Sequence, residues 1–307
     1  MGQIIAVCTS EKKGGAKTPK ETIRLREGYG IEGDAHAGNW HRQVSLLSLE
    51  EIEAFRARGA NVAYGAFGEN IVTQGIHLKS LDVGMKLAIA GTLLEVTQIG
   101  KECHDHCAIY DSVGDCIMPR EGIFTVVLSG GEIRAGDEIA ILPPDENRPF
   151  TAAVITLSDR CYRGEREDKS GPAAVELLKE AGFEVAETLL LPDGKPRLQA
   201  QLIRLADQRQ LSLIVTTGGT GFSVRDVTPE ATVAVCDRMA PGIAEAIRAY
   251  SMTVTQNGCL SRAVSGIRGK TFILNLPGSE KAVREALSFI MKPLLHGLDI
   301  LRGTGDN

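Results

Sequence analysis

The chain has 307 residues, 43% hydrophobic and 24% charged, with 34 Gly and 12 Pro, a balance that excludes disordered, collagen-like and membrane-embedded classes. A formal net charge of −5 without any dense basic run excludes a broad nucleic-acid footprint, although a small anionic ligand needs only a local nest of amides. One hydrophobic core becomes inefficient at this length, so two domains are expected.

The chain opens on QIIAVCTS, an apolar strand too short for a secretory signal or a membrane span, so a cytoplasmic protein with no membrane partner is expected. Further short β-rich runs follow between glycine turns: HRQVSLLS, MKLAIAGTLLEVTQIG, GIFTVVLSGG and GDEIAILP. Only LEEIEAFRARGA has helical periodicity in this half, with Ile52 and Phe55 on one face and Gly59 as the stop. A mostly-β barrel with one helix is predicted, and LDVGMKLAIAG and IRAGDEIAILP each put a glycine turn before an alternating strand, as a barrel corner would.

Within this half, Cys103, Cys107 and Cys116 lie close together with Lys101, His104 and His106. Seven cysteines are too few and too scattered for a disulfide framework. Three explanations stay open for the cluster: a metal site on Cys103, Cys107 and Cys116, a set of buried thiols, or a reactive thiolate. Cys8, Cys161, Cys236 and Cys259 read as structural.

The segment ILPPDENRPF, with Pro143, Pro144 and Pro149, is the strongest punctuation in the chain and divides it into residues 1–145 and 146–307. Charge separates the halves as well. Residues 1–148 carry 15 Lys+Arg against 21 Asp+Glu, and residues 149–307 carry 19 against 18.

The second half alternates strand and helix. AAVITLSD precedes SGPAAVELLKEAG, FEVAETLLLPD precedes RLQAQLIRLADQRQ, LSLIVTTGG precedes TPEATVAVCDR, and TFILNLPG precedes SEKAVREALSFIMKPLLHGL. The pattern predicts an α/β three-layer domain with a mostly parallel sheet, because parallel strands need crossover helices. Thr228 before Pro229 and Ser279 before Glu280 read as helix caps.

In open α/β sheets, ligands bind beyond the carboxyl ends of the strands. The residues there are Ser158-Asp159-Arg160, Leu191-Pro192-Asp193, and Thr217 followed by Gly218-Gly219-Thr220-Gly221 and Arg225-Asp226. Glycines let amides turn toward an anion, so the last loop reads as a phosphate cradle of non-Walker type. Carboxylates beside such a cradle suit a Mg²⁺-nucleotide site, because Mg²⁺ is held by one or two carboxylates plus phosphate oxygens.

With S-D-R and L-P-D upstream, T-T-G-G-T-G-x-x-x-R-D-V-T-P-E-A, then P-G-x-x-E (Pro241, Gly242, Glu245), L-S-R (Leu260 to Arg262) and L-N-L-P-G (Leu274 to Gly278), resembles the MogA/MoaB family of molybdopterin adenylyltransferases over residues 150–304. The MoeA and competence-damage families share that sheet, and Arg225-Asp226 favours the adenylyltransferase branch. The resemblance implies transfer of AMP from Mg-ATP to the phosphate of molybdopterin with release of pyrophosphate. It implies Asp193 for Mg²⁺ and ATP, Asp226 for orienting the pterin, and Gly218, Gly219, Thr220 and Gly221 for phosphates. Ser158, Asp159, Thr217, Arg225, Glu245, Ser261, Arg262, Asn275, Pro277 and Gly278 complete the implied substrate-binding set. A trimer is implied too.

Residues 1–142 resemble a MOSC domain, similar to the C-terminal part of molybdenum cofactor sulfurase. The matching pieces are G-I-E-G-D-A-H-A-G (Gly30 to Gly38), R-Q-V-S-L-L (Arg42 to Leu47), G-x-x-G-E-N-I (Gly65 to Ile71), the L-x-V-G turn (Leu81 to Gly84), L-E-V-T before the cysteine segment, and G-G-x-I-x-x-G-D (Gly130 to Asp137). The resemblance implies binding of the molybdenum cofactor, with Arg42, His36 and Asn70 as candidate contacts and Cys103, or Cys107 as second choice, as a sulfur-carrying thiol. The extra cysteines and histidines depart from the family pattern and keep metal binding open beside sulfur chemistry. The whole chain then reads as an enzyme of molybdenum cofactor biosynthesis serving a molybdenum-insertion protein or a molybdoenzyme. The alternative is a non-catalytic carrier of molybdopterin or its cofactor.

Overall fold

In a computed structural model of the protein, residues 2–102, 110 and 115–303 are described. The chain forms two compact units, residues 1–145 and 146–307.

In the first unit the strands are β1 (Gly2–Thr9), β2 (Thr18–Lys20), β3 (Thr22–Arg26), β4 (Gly30–Ile31), β5 (Val44–Ser48), β6 (Ile71–Gln74), β7 (Lys86–Ile89), β8 (Thr92–Ile99), β9 (Ile123–Ser129), β10 (Gly131–Arg134) and β11 (Glu138–Leu142). Seven of these described strands run in the order β11-β7-β8-β9-β5-β6-β1, and β11 pairs back onto β1 to close a barrel. Closure removes the exposed sheet edge. Along β8, buried and half-buried residues alternate, so Leu94 and Val96 point into a core with Leu46, Ile71, Leu87, Ile89 and Ile123. The two predicted corner glycines, Gly84 and Gly136, have φ of +93° and +92°, which favours a residue without Cβ. Helix α1 (Leu49–Arg56) buries Ile52 and Phe55 and is capped by the Ser48 hydroxyl, which accepts from the Glu51 amide at 3.3 Å. A short helix, α2 (Met118–Glu121), was not predicted.

The second unit is a six-stranded sheet among the described residues. Its strands are β12 (Thr151–Leu157), β13 (Glu184–Leu191), β14 (Leu213–Thr217), β15 (Arg238–Met239), β16 (Ser265–Arg268) and β17 (Thr271–Leu276), in the order β13-β12-β14-β17-β16-β15. The first four are parallel, and β16 and β15 are antiparallel. The expected mostly parallel sheet therefore has an antiparallel edge. The reason is local: Arg268 pairs with Thr271 across the two residues Gly269-Lys270, and a two-residue connection can only make a hairpin.

Helices α3 (Asp159–Tyr162), α4 (Ser170–Glu180), α5 (Lys195–Ile203), α6 (Thr228–Val235), α7 (Pro241–Val254) and α8 (Glu280–Arg302) cover the sheet. Val154, Val215 and Leu274 face a core formed with α4, α7 and α8, while their neighbours Ile155, Ile214 and Ile273 face one formed with α5 and α6. This period of two, buried on both faces, produces the near-continuous apolar runs of the sequence. Ser279 caps α8 as expected, accepting from the Ala282 amide. Thr228 does not cap α6. Its hydroxyl donates instead to the Gly218 carbonyl at 2.9 Å, fastening the helix to the glycine loop.

Candidate active site

The carboxyl ends of β12, β13, β14 and β17 converge on a cavity of about 280 Å³, lined in part by Ser158, Asp193, Gly218, Gly219, Asp226 and Gly278. Each residue reaches it for a local reason. Ser158 ends β12 and caps α3 by accepting from the Cys161 amide at 3.2 Å. Gly218 and Gly219 have φ of +90° and +64°, and a Cβ on Gly218 would lie 2.4 Å from the Leu157 carbonyl oxygen. Gly278 must also be small, because a Cβ there would come within 3.1 Å of the Gly218 Cα.

The carbonyls of the glycine loop are bound within the protein. Gly218 O accepts from Thr228 Oγ1, Gly219 O from the Thr228 amide, Thr220 O from the Arg262 amide and Gly221 O from Arg262 Nε. The amides of Gly219, Thr220 and Gly221 donate to none of the described residues. Tethered carbonyls and uncommitted amides make a nest for an anion.

Two carboxylates flank that nest. Burial and then the charge of Asp226 raise the pKa of Asp193 above the ordinary carboxylate range. Two acids facing one cavity in this way favour a divalent cation. Among the described residues no three His, Cys, Asp or Glu side chains are grouped to hold a metal by themselves. Asp159 supports Asp193 through a reciprocal pair of amide-to-carboxylate bonds and forms an ion pair with the otherwise exposed Arg225.

Other residues expected to bind substrate lie outside the cavity lining. Asn275 is fully buried, donating to Thr216 Oγ1 and Thr232 Oγ1 at 2.9 Å each and accepting from the Val264 amide. Thr217 is buried with its hydroxyl 2.9 Å from Ser170 Oγ, and Thr220 is buried too. Arg262 binds the Gly221 and Asp226 carbonyls and Glu230, so it shapes the loop. Ser261 and Pro277 are half-buried, and Glu245 is exposed on α7. Cys161 lines the cavity and Cys259 is exposed, unlike the structural cysteines expected at both positions.

The sequence reading missed Asp168, Arg166 and Lys169, which line the cavity. Asp168 Oδ1 accepts from the Ser170 and Gly171 amides at 3.0 Å, and this start to α4 could have been found in the D-x-S-G-P pattern.

In the first unit, Cys103 and Cys107 lie outside the described residues. Cys116 is buried in an apolar cluster with Ile52, Phe55 and Met118, the surroundings of the buried-thiol alternative. Asn70 is 1% exposed, donating to the Cys8 carbonyl and to Asp34 Oδ2 while accepting from Ser45, so its amide organises the barrel interior. His36 is bonded to Asp34 through its amide and lies 3.1 Å from Asp34 Oδ1 through Nδ1. The Arg42 guanidinium lies over the rings of Trp40 and Phe124 at 4.8 and 5.5 Å.

Beneath these residues is a buried ion pair, Lys17 Nζ to Asp34 Oδ2 at 3.0 Å. Burial pulls the Lys17 pKa down against the Asp34 charge. Burial pushes Asp34 up, but the His36 hydrogen bonds and the Lys17 charge outweigh it and hold that carboxyl well below its usual range. Glu69 is fully buried, accepts from the Gly65 amide and is pushed up by burial to about 7. Burial and the Glu69 charge raise the Cys8 thiol to about 12.

The second unit is thus an α/β domain with an amide nest and paired acids at its strand ends. Residues 153–297 match the model of a probable molybdopterin binding domain, and residues 33–140 match that of a MOSC domain. A molybdopterin adenylyltransferase from Helicobacter pylori is 40% identical over 152 residues, covering 49% of this chain and 86% of the relative. One from Escherichia coli is 43% identical over 137 residues, covering 44% of this chain and 70% of the relative. The molybdopterin biosynthesis enzyme MoaB from Thermus thermophilus is 44% identical, with 51% of this chain and 98% of that one covered and a TM-score of 0.49. The chain belongs to the molybdopterin adenylyltransferase family, with a MOSC domain ahead of the family's own domain. No helix among the described residues is long and apolar enough to cross a membrane.

Proposed function

We propose that the second unit transfers AMP from Mg-ATP to the phosphate of molybdopterin and releases pyrophosphate. The observation that supports this best is that Asp193 and Asp226, from different strand ends, face one cavity with the glycine loop. Asp193 would hold Mg²⁺, which when bound supplies neutralisation of phosphate charge, and Asp226 would orient the pterin. The amides of Gly219, Thr220 and Gly221 orient a phosphate, and Asp159 fixes Asp193 through their paired bonds. Such chemistry needs positioning and charge stabilisation rather than covalent participation by protein groups. The test is ATP-dependent pyrophosphate release with molybdopterin, which Asp193→Ala and Asp226→Ala should each abolish without unfolding.

For the barrel, the proposal is that it binds the molybdenum cofactor or carries sulfur on Cys103. The Arg42 guanidinium over the exposed Trp40 ring supports an aromatic, cationic contact there. Mass spectrometry after treatment with a small-molecule persulfide, whose outer sulfur passes to the Cys103 thiolate while the remainder leaves as a thiolate, reads sulfur directly on Cys103. Lack of labile sulfur together with an empty metal analysis would remove the chemical role and leave binding alone.

A further inference from the structure

The cavity lining carries the acids Glu167, Asp168, Asp193, Asp226 and Glu280. Its basic residues are Arg166 and Lys169. A lining with this excess of negative charge repels a polyphosphate unless cations stand where the phosphates lie. Nearby arginines are engaged elsewhere: Arg225 with Asp159, Arg262 with the glycine loop and Glu230, Arg284 with Glu176 and Glu280. Arg166 and Lys169 form no ion pair with a described residue and are exposed.

Asp168 lies between them in the chain. Its Oδ1 accepts from the Ser170 amide, the Ser170 hydroxyl and the Gly171 amide, all at 3.0 Å, and its Oδ2 accepts from Thr156 Oγ1 at 2.6 Å. Ser170 Oγ in turn lies 2.9 Å from Thr217 Oγ1. One carboxylate thereby joins the start of α4 to the ends of β12 and β14. Gly171 permits this approach, because a Cβ there would lie 2.4 Å from Thr156 Oγ1 and 2.5 Å from Asp168 Oδ2.

We propose that Arg166 and Lys169 hold the β- and γ-phosphates of the nucleotide, with Asp168 as the residue that positions them. The assignment rests on the adenylyl-transfer reading. In that reaction an oxygen of the pterin phosphate forms a bond to the α-phosphorus while the bond from that phosphorus to the bridging oxygen breaks. The electron pair leaves with pyrophosphate, so negative charge grows on the leaving group, where two fixed cations lower its energy. The amide nest carries no side-chain cation and suits a single phosphate.

The test is calorimetric titration of the full chain with ATP, AMP and pyrophosphate in the presence of Mg²⁺. Arg166→Ala/Lys169→Ala should weaken ATP and pyrophosphate binding by about tenfold or more and leave AMP within about twofold. Asp168→Asn should weaken ATP binding alone but add little to that double variant, because it acts through the same two side chains. Equal loss of AMP would overturn the assignment to the β- and γ-phosphates, and a fully additive Asp168→Asn effect would overturn its positioning role. Wild-type protein that binds ATP no better than the double variant overturns the assignment of this wall. Wild-type protein that binds no ATP overturns the reading on which it rests.

Discussion

Asp159 and Asp193 exchange amide-to-carboxylate hydrogen bonds: the Asp159 amide donates to Asp193 Oδ2 at 3.2 Å, and the Asp193 amide donates to Asp159 Oδ1 at 3.1 Å. The pair locks the loops after β12 and β13 together and leaves Asp159 to hold Arg225. Asp159→Ala should therefore lower kcat/KM by about tenfold to a hundredfold through misplacement of Asp193. Asp159→Asn keeps the acceptor for the Asp193 amide and should recover part of that loss. Steady-state kinetics of both variants read this, and equal activity in Asp159→Ala and wild type would remove Asp159 from the site.

Gly218 is confined by its φ of +90° and by the Leu157 carbonyl. Gly218→Ala should destabilise the second unit by about 1–3 kcal/mol and lower nucleotide affinity. Gly242, in the first turn of α7 with open space around it, is the control. Gly242→Ala should be neutral or raise stability slightly, by about 0.5 kcal/mol, because Ala has the better helix propensity. Urea unfolding of the two variants makes the comparison.

Much of this site was legible because it is local. The glycines, the acids after each strand and the helix starts fall within a few residues of the strands that place them. The rest depends on residues distant in sequence. Asn275 is implied as a substrate contact by the motif, but its side chain is bonded to Thr216 on β14 and Thr232 on α6. The Thr228-Pro229 pair has the composition of a cap, yet its hydroxyl finds the Gly218 carbonyl first. The role of Asp168 needs Thr156 from the neighbouring strand, and no spacing rule connects the two. In the barrel, Lys17 and Asp34 are residue types normally found at the surface, and only closure of the strands shows them buried.

That buried pair gives a stability prediction. Lys17→Met leaves the Asp34 carboxylate buried without its counter-charge and should destabilise the first unit by about 3–5 kcal/mol. Replacing both with apolar residues should cost less than Lys17→Met alone, because no charge is then left behind. Denaturant unfolding of the single and double variants checks this.

Glu69 sets a pH dependence. Its folded pKa of about 7 lies above the 4.5 of an ordinary glutamate, so between these values the folded state binds more protons than the unfolded state. Stability of the first unit should fall as pH rises through that window, and the loss should be complete above about 7. Glu69→Gln retains an acceptor for the Gly65 amide and should flatten the slope. Thermal unfolding between pH 5 and 8, values chosen to bracket the folded pKa, is the measurement, and an unchanged slope in the variant would assign the effect to another group.

Transfer chemistry at the second unit is tested most directly by pyrophosphate release from Mg-ATP in the presence of molybdopterin, followed for wild type, Asp193→Ala and Asp226→Ala. Turnover is expected in wild type alone, with unfolding curves of the three proteins superimposed. Molybdopterin bound without turnover by wild type, or full turnover in either variant, would contradict the account.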